Sequence, residues 1–142
     1  MHISPKNAHC IQHQGRYFFA LAGASRYFIS PCGALLSMTG GKPELLTPSP
    51  QTKGYLQTGI RMDDGTYKRV LIHRLVAQRF LPPPDSAQKK QVDHLDSNRK
   101  NNAADNLEYV TNRENSVRAR LRALAKTQQA PDSTTTNLKI AA

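Results

Sequence analysis

Up to about residue 72 the chain alternates between short apolar or aromatic stretches and polar breaks. Tyr17-Phe-Phe-Ala-Leu and Arg26-Tyr-Phe-Ile-Ser predict two strands, rich in aromatic and β-branched residues. Pro31-Cys-Gly reads as a turn, Ala34-Leu-Leu-Ser-Met as a third strand, and Gly40-Gly-Lys-Pro as another turn. Residues 54–62 predict a longer strand. In it Tyr55, Gln57, Gly59 and Arg61 alternate with Leu56, Thr58, Ile60 and Met62. Asp63-Asp-Gly signals a hairpin, and the chain returns over 67–72.

The spacing then becomes helical. Over 73–81, Val76 and Phe80 share a face, and Pro82-Pro-Pro stops the helix. Val92-Asp-His is short and extended. Residues 96–102 form a polar loop of turn formers, and 107–111 alternate as a strand. Thr111 and Glu114 have the spacing of a capping box. That box opens a helix expected to run to about Lys126, with Val117, Leu121 and Leu124 as its buried stripe. Residues 1–13 are polar and read as a flexible arm, and 128–142 as a disordered tail.

Charge changes the picture. Twenty Lys and Arg stand against ten Asp and Glu, a net charge of +10. Such a chain attracts polyanions, and nucleic acid is the commonest polyanion a soluble protein meets. Half of the ten acidic residues nevertheless lie between Asp93 and Glu114. A surface that only binds DNA gains nothing from carboxylates there, whereas a metal site needs at least one. Cys10 and Cys32 are the only cysteines and form no CxxC pair, which argues against a structural zinc site. Free thiols in a reducing cytoplasm are the default. With no apolar run of membrane-spanning length and no signal-peptide core, the expectation is a soluble protein in the cytoplasm.

The chemistry concentrates in Asp93, His94 and Asn115. A strand end carries a carboxylate and an imidazole, and the first turn of the following helix carries a carboxamide. Phosphodiester hydrolysis needs an in-line nucleophile and neutralisation of growing charge. A histidine near neutrality can take a proton from water. One carboxylate and one amide oxygen leave most of an octahedral shell open for water and phosphate oxygens. No second carboxylate cluster is evident, which disfavours a two-metal mechanism. Taken singly, His94 could be a structural histidine, Asp93 a turn cap and Asn115 a helix-surface residue. His73 stands at a strand-to-helix junction, where burial and hydrogen bonding are the commoner reasons for a histidine.

The segments His73-Arg-Leu-Val-Ala, Val92-Asp-His-Leu-Asp-Ser-Asn, Asn101-Asn, Asp105-Asn-Leu-Glu-Tyr-Val-Thr and Glu114-Asn resemble HNH endonucleases of the homing type. More weakly, Tyr27-Phe-Ile-Ser-Pro-Cys-Gly and Lys53-Gly-Tyr-Leu-Gln resemble the small β module that precedes such domains. The resemblance covers about two-thirds of the chain. It implies an α+β protein, a ββα-metal (His-Me finger) core preceded by a small antiparallel β module. The implied division is a β module over 14–66 and a nuclease domain over 67–127.

By the same resemblance, Asp93 and Asn115 ligate one divalent cation, His94 is the general base, and Asn106 ties the loop to the strand. Asn115 stands where the family's name has a His, which favours Mg²⁺ or Mn²⁺ over zinc. The partner implied is double-stranded DNA, with Lys53, Arg74, Arg99, Lys100, Arg113, Arg118 and Arg122 as candidate phosphate contacts. A monomer or weak dimer is expected, nicking one strand per encounter in a bacterial host cell and encoded by a phage or mobile element. The alternative is a non-catalytic DNA-binding protein, a regulator or packaging accessory, on the same scaffold.

Overall fold

The computed structural model describes residues 9–141, with side chains over 9–127. The chain divides into two compact units. The first comprises residues up to Pro84 together with Val92–Tyr109; the second comprises Asp85–Gln91 and residues from Val110 onward.

The first unit opens with an antiparallel meander of five strands in sequence order: β1 (Cys10–His13), β2 (Arg16–Leu21), β3 (Ala24–Ile29), β4 (Leu35–Ser37) and β5 (Glu44–Leu45). The flexible arm expected over 1–13 is therefore corrected from Cys10 onward; residues 1–8 lie outside the described residues. The reason is the turn at Gln14-Gly15. Both residues have positive φ, 51° and 77°, the backbone of a two-residue hairpin turn that matches strand twist. It pairs His13 with Arg16 and Cys10 with Phe19.

Successive side chains on β2 point to opposite faces, so this sheet buries both. Phe18 packs with Phe28 and Leu36 on one side. Phe19 and Leu21 join the main core on the other. His9 and His13 pack edge-on against Phe28 and Phe18.

A second sheet contains β6 (Ser49–Pro50), β7 (Leu56–Arg61) and β8 (Tyr67–Leu71), antiparallel throughout. Helix α1 (Ile72–Phe80) follows without a loop, and its backbone turns extended at Leu81, one residue before the prolines. Ile72, Val76, Ala77 and Phe80 form its buried stripe. Phe80 meets Phe19 edge-to-face at 5.4 Å between centroids, with the Arg79 guanidinium 5.0 Å from the Phe19 ring.

β9 (Gln91–His94) pairs with β10 (Leu107–Val110). Val92 and Leu107 enter the same core as Phe19, Ile29, Ile60 and Ile72. The boundary expected at 66/67 thus falls inside the β7–β8 hairpin. Residues 14–66 and the first part of the expected nuclease domain share one core.

In the second unit, α2 (Asn112–Ala141) runs beyond the expected end at Lys126 and through Pro131, where a disordered tail was expected. Its start follows the sequence. The Glu114 amide donates to Thr111 Oγ1 at 3.0 Å, and the Thr111 amide donates back to Glu114 Oε1 at 3.4 Å. The predicted buried stripe is corrected. Val117, Leu121 and Leu124 are all about half exposed or more. Residues 85–91 of the same unit, Asp-Ser-Ala-Gln-Lys-Lys-Gln, offer no apolar face to cover them.

Candidate active site

β9 ends at His94, and the chain leaves the sheet in a turn closed by the Ser97 amide on the His94 carbonyl at 3.0 Å. Ser97 takes a left-handed φ of 64° to make that turn. Asp93 and His94 are both buried there, 4% and 3% exposed, although each is a polar residue at a strand end.

The loop that follows is built on Asp96 and Asn106. Asn106 Nδ2 donates to Asp96 Oδ1 at 2.9 Å and to the Asn101 carbonyl at 2.9 Å, and Asn106 Oδ1 accepts from the Asp96 amide at 3.1 Å. Asn101 Nδ2 donates to Asp96 Oδ2, and the Asn98 amide donates to Asp96 Oδ1, both at 2.8 Å. These bonds, from Asn101 first and then Asn98 and Asn106, hold the Asp96 carboxyl below its ordinary range. One buried amide therefore closes the loop between Asp96 and Asn106 back on itself.

That closure delivers a residue to which sequence reasoning gave no role. Asn102 is buried, and its Oδ1 lies 2.8 Å from His94 Nε2. An amide oxygen only accepts. Nε2 is therefore the donor in this bond, and in the neutral ring Nδ1 is the nitrogen that accepts. Asn102 is itself braced from behind. Gly33 approaches so closely that a Cβ there would stand 3.0 Å from Asn102 Cβ, and the Ala104 amide donates to the Pro31 carbonyl at 2.8 Å. The signal was present in Asn101-Asn102: a second amide, eight residues after the histidine, in a loop too short to carry it far away.

Two more rings surround His94. His73, from the first turn of α1, lies 5.1 Å from it between centroids, and Tyr55, from the segment before β7, lies 5.8 Å away. Tyr55 and His73 are 4.9 Å apart. The Arg99 guanidinium sits 4.7 Å over the Tyr55 ring and donates to the Lys53 carbonyl. Arg99 thus takes part in the fold as well as carrying surface charge. Burial first, and then the electrostatic influence of the neighbouring His94 and Arg74, pushes His73 down to about 4.

The other candidates are spread over both units. Lys53 and Lys100 are exposed in the first, where Arg74 is half-buried. In the second, Arg113 is exposed, and Asn115, Arg118 and Arg122 are half-buried on α2, with the Asn115 amide donating to the Thr111 carbonyl at 3.0 Å. Asp93 and Asn115 offer a carboxylate and a carboxamide oxygen, a donor set that fits a hard divalent cation. Among the described residues, no three of His, Cys, Asp and Glu gather into a metal-binding group. Cys10 and Cys32 are free thiols.

A paired β9–β10, a buried Asp-His at its strand end and a loop closed by an asparagine define a chain of the HNH class. The sequence model of the family described as HNH endonuclease matches residues 70–117, and the chain belongs to that family. An HNH endonuclease of Acanthamoeba polyphaga mimivirus is 32% identical over 97 residues, 68% of this chain and 28% of its own. The SPbeta prophage-derived HNH homing endonuclease YosQ of Bacillus subtilis (strain 168) is 33% identical over 93 residues, 66% of this chain and 51% of its own. The chain therefore spans between about a quarter and a half of these relatives' lengths. Among solved structures it resembles the HNH homing endonuclease I-HmuI, described in terms of DNA binding and cleavage. The TM-score is 0.63 at 30% identity, over 80% of this chain and 64% of that one.

Proposed function

We propose that the protein is a divalent-metal-dependent DNA endonuclease that nicks one strand of a duplex per encounter. The observation that carries this reading is the buried His94 imidazole held at Nε2, 2.8 Å from Asn102 Oδ1, an arrangement that leaves Nδ1 available as the proposed proton acceptor. In the proposed reaction His94 Nδ1 takes a proton from the attacking water, the step for which a general base is needed. By the resemblance to HNH homing endonucleases, Asp93 and Asn115 would hold one Mg²⁺ or Mn²⁺ through oxygen. The cation supplies neutralisation of the charge that grows on the phosphate and the leaving oxygen. Asn106 and Asp96 keep the loop closed, so that Asn102 stays behind the imidazole.

Duplex DNA is the proposed partner. A net charge of +10 supports it, as do Lys53, Arg74, Lys100, Arg113, Arg118 and Arg122, acting mainly on phosphates. The prophage-derived relative supports a phage or mobile-element origin and work inside a bacterial host. No helix among the described residues is long and apolar enough to cross a membrane.

The test is conversion of supercoiled plasmid to nicked circles. Activity should appear with Mg²⁺ or Mn²⁺ and vanish in EDTA. His94→Ala should lower the rate at least about a hundredfold while gel-shift binding is retained. Wild-type cleavage by His94→Ala would overturn the mechanism.

A further inference from the structure

We propose that Tyr55 and His73 form a wall of rings that fixes the plane of the His94 imidazole, which makes both of them positioning residues for it. The inference rests on His94 acting as general base.

A hydrogen bond at Nε2 holds one corner of the His94 ring but lets it tilt about the bond. The neighbouring rings oppose that tilt. The three centroids stand 4.9, 5.1 and 5.8 Å apart, a triangle of aromatic contacts drawn from three separate elements. Such separations are within the range of favourable ring packing. Arg99, over the Tyr55 ring and bonded to the Lys53 carbonyl, holds Tyr55 in place.

Hydrogen bonding at Nδ1 does not explain His73. The residue is 4% exposed, and among the described residues Nδ1 has no hydrogen-bond partner. An orphaned buried polar atom is destabilising. What remains for this residue to contribute is the flat face that it sets against His94. Phe, which keeps a flat ring without the orphaned nitrogen, should therefore serve in its place.

The test compares single-turnover nicking at saturating enzyme, DNA affinity and thermal midpoint for His73→Ala, His73→Phe, Tyr55→Leu and Tyr55→Phe. His73→Ala and Tyr55→Leu should lose about tenfold or more in rate with DNA affinity unchanged, since misplacing a reacting group by about an ångström is costly. The Phe variants should restore the rate to within a few-fold. The His94 ring-proton resonances should move in the Ala and Leu variants and return in the Phe variants. Wild-type rates in His73→Ala and Tyr55→Leu would overturn the proposal, as would Phe variants as slow as their partners. If His73→Ala does not fold, the half-buried Tyr55 pair decides. His94→Ala, assayed alongside, keeps the two readings apart. Its retained activity sinks the general-base assignment, whereas its loss together with full activity in His73→Ala sinks only the ring wall.

Discussion

The imidazole of His94 and the side-chain amide of Asn102 meet at 2.8 Å, both buried, across a polar loop that Asn106 closes. The pair ties the tautomer of a histidine to the packing of a loop. Asn102→Ala removes the acceptor and lets the imidazole change tautomer and turn. Plasmid nicking should fall about ten- to hundredfold, the scale for losing the partner behind a functional histidine. Asn102→Asp, which keeps an acceptor, should lose less. Equal rates in wild type and Asn102→Ala would show that the bond does not matter.

Asn106→Ala deletes three hydrogen bonds at once from a buried position. It leaves the Asp96 amide and the Asn101 carbonyl without this partner. The loss expected is on the order of 2–3 kcal/mol. Urea unfolding measures it. Amide exchange should speed up over 96–102 before it does in the β2–β3 hairpin.

Gly33 and Gly41 both adopt left-handed φ, 91° and 81°. At either position Ala brings a strain of about 1–3 kcal/mol. Only at Gly33 would the new Cβ also press on Asn102, 3.0 Å from its Cβ and 3.3 Å from its carbonyl oxygen; at Gly41 nothing lies within 4 Å. Gly33→Ala should therefore reduce nicking beyond its effect on stability, while Gly41→Ala should affect stability alone. Parallel losses of activity in the two variants would count against the bracing of Asn102.

His73, pushed down to about 4 chiefly by burial, links stability to acid. An unfolded histidine titrates near 6.5, so between about 6.5 and about 4 the unfolded chain binds a proton that the folded chain refuses. The stability contributed by a neutral His73 is fully present above about 6.5 and is lost progressively as the pH falls toward 4. At about 1.4 kcal/mol per unit, the total is on the order of 3 kcal/mol. Urea midpoints measured across this range should fall more steeply for wild type than for His73→Phe. Parallel slopes would refute the assignment.

The sequence by itself determined what depends on neighbours a few residues apart. Alternation placed β7 and β8, and the Asp63-Asp64-Gly65 turn joined them. The shared face of Val76 and Phe80 together with Pro82 placed α1, which begins one residue earlier than expected, at Ile72. Thr111 and Glu114 capped α2 as their spacing predicted. Asp93, His94 and Asn106 were legible because motif residues at fixed spacing mark a local turn and strand.

Only the tertiary structure decided the rest. Tyr55, His73 and His94 lie on three elements, and no periodicity relates them; the shared core brings their rings together. Asn102 acquires its role because Gly33, almost seventy residues earlier, presses on its back. The stripe of Val117, Leu121 and Leu124 shows the same limit from the other side. Helical spacing says that three side chains share a face, but whether that face is buried depends on a partner surface, and among the described residues these three stay about half exposed or more.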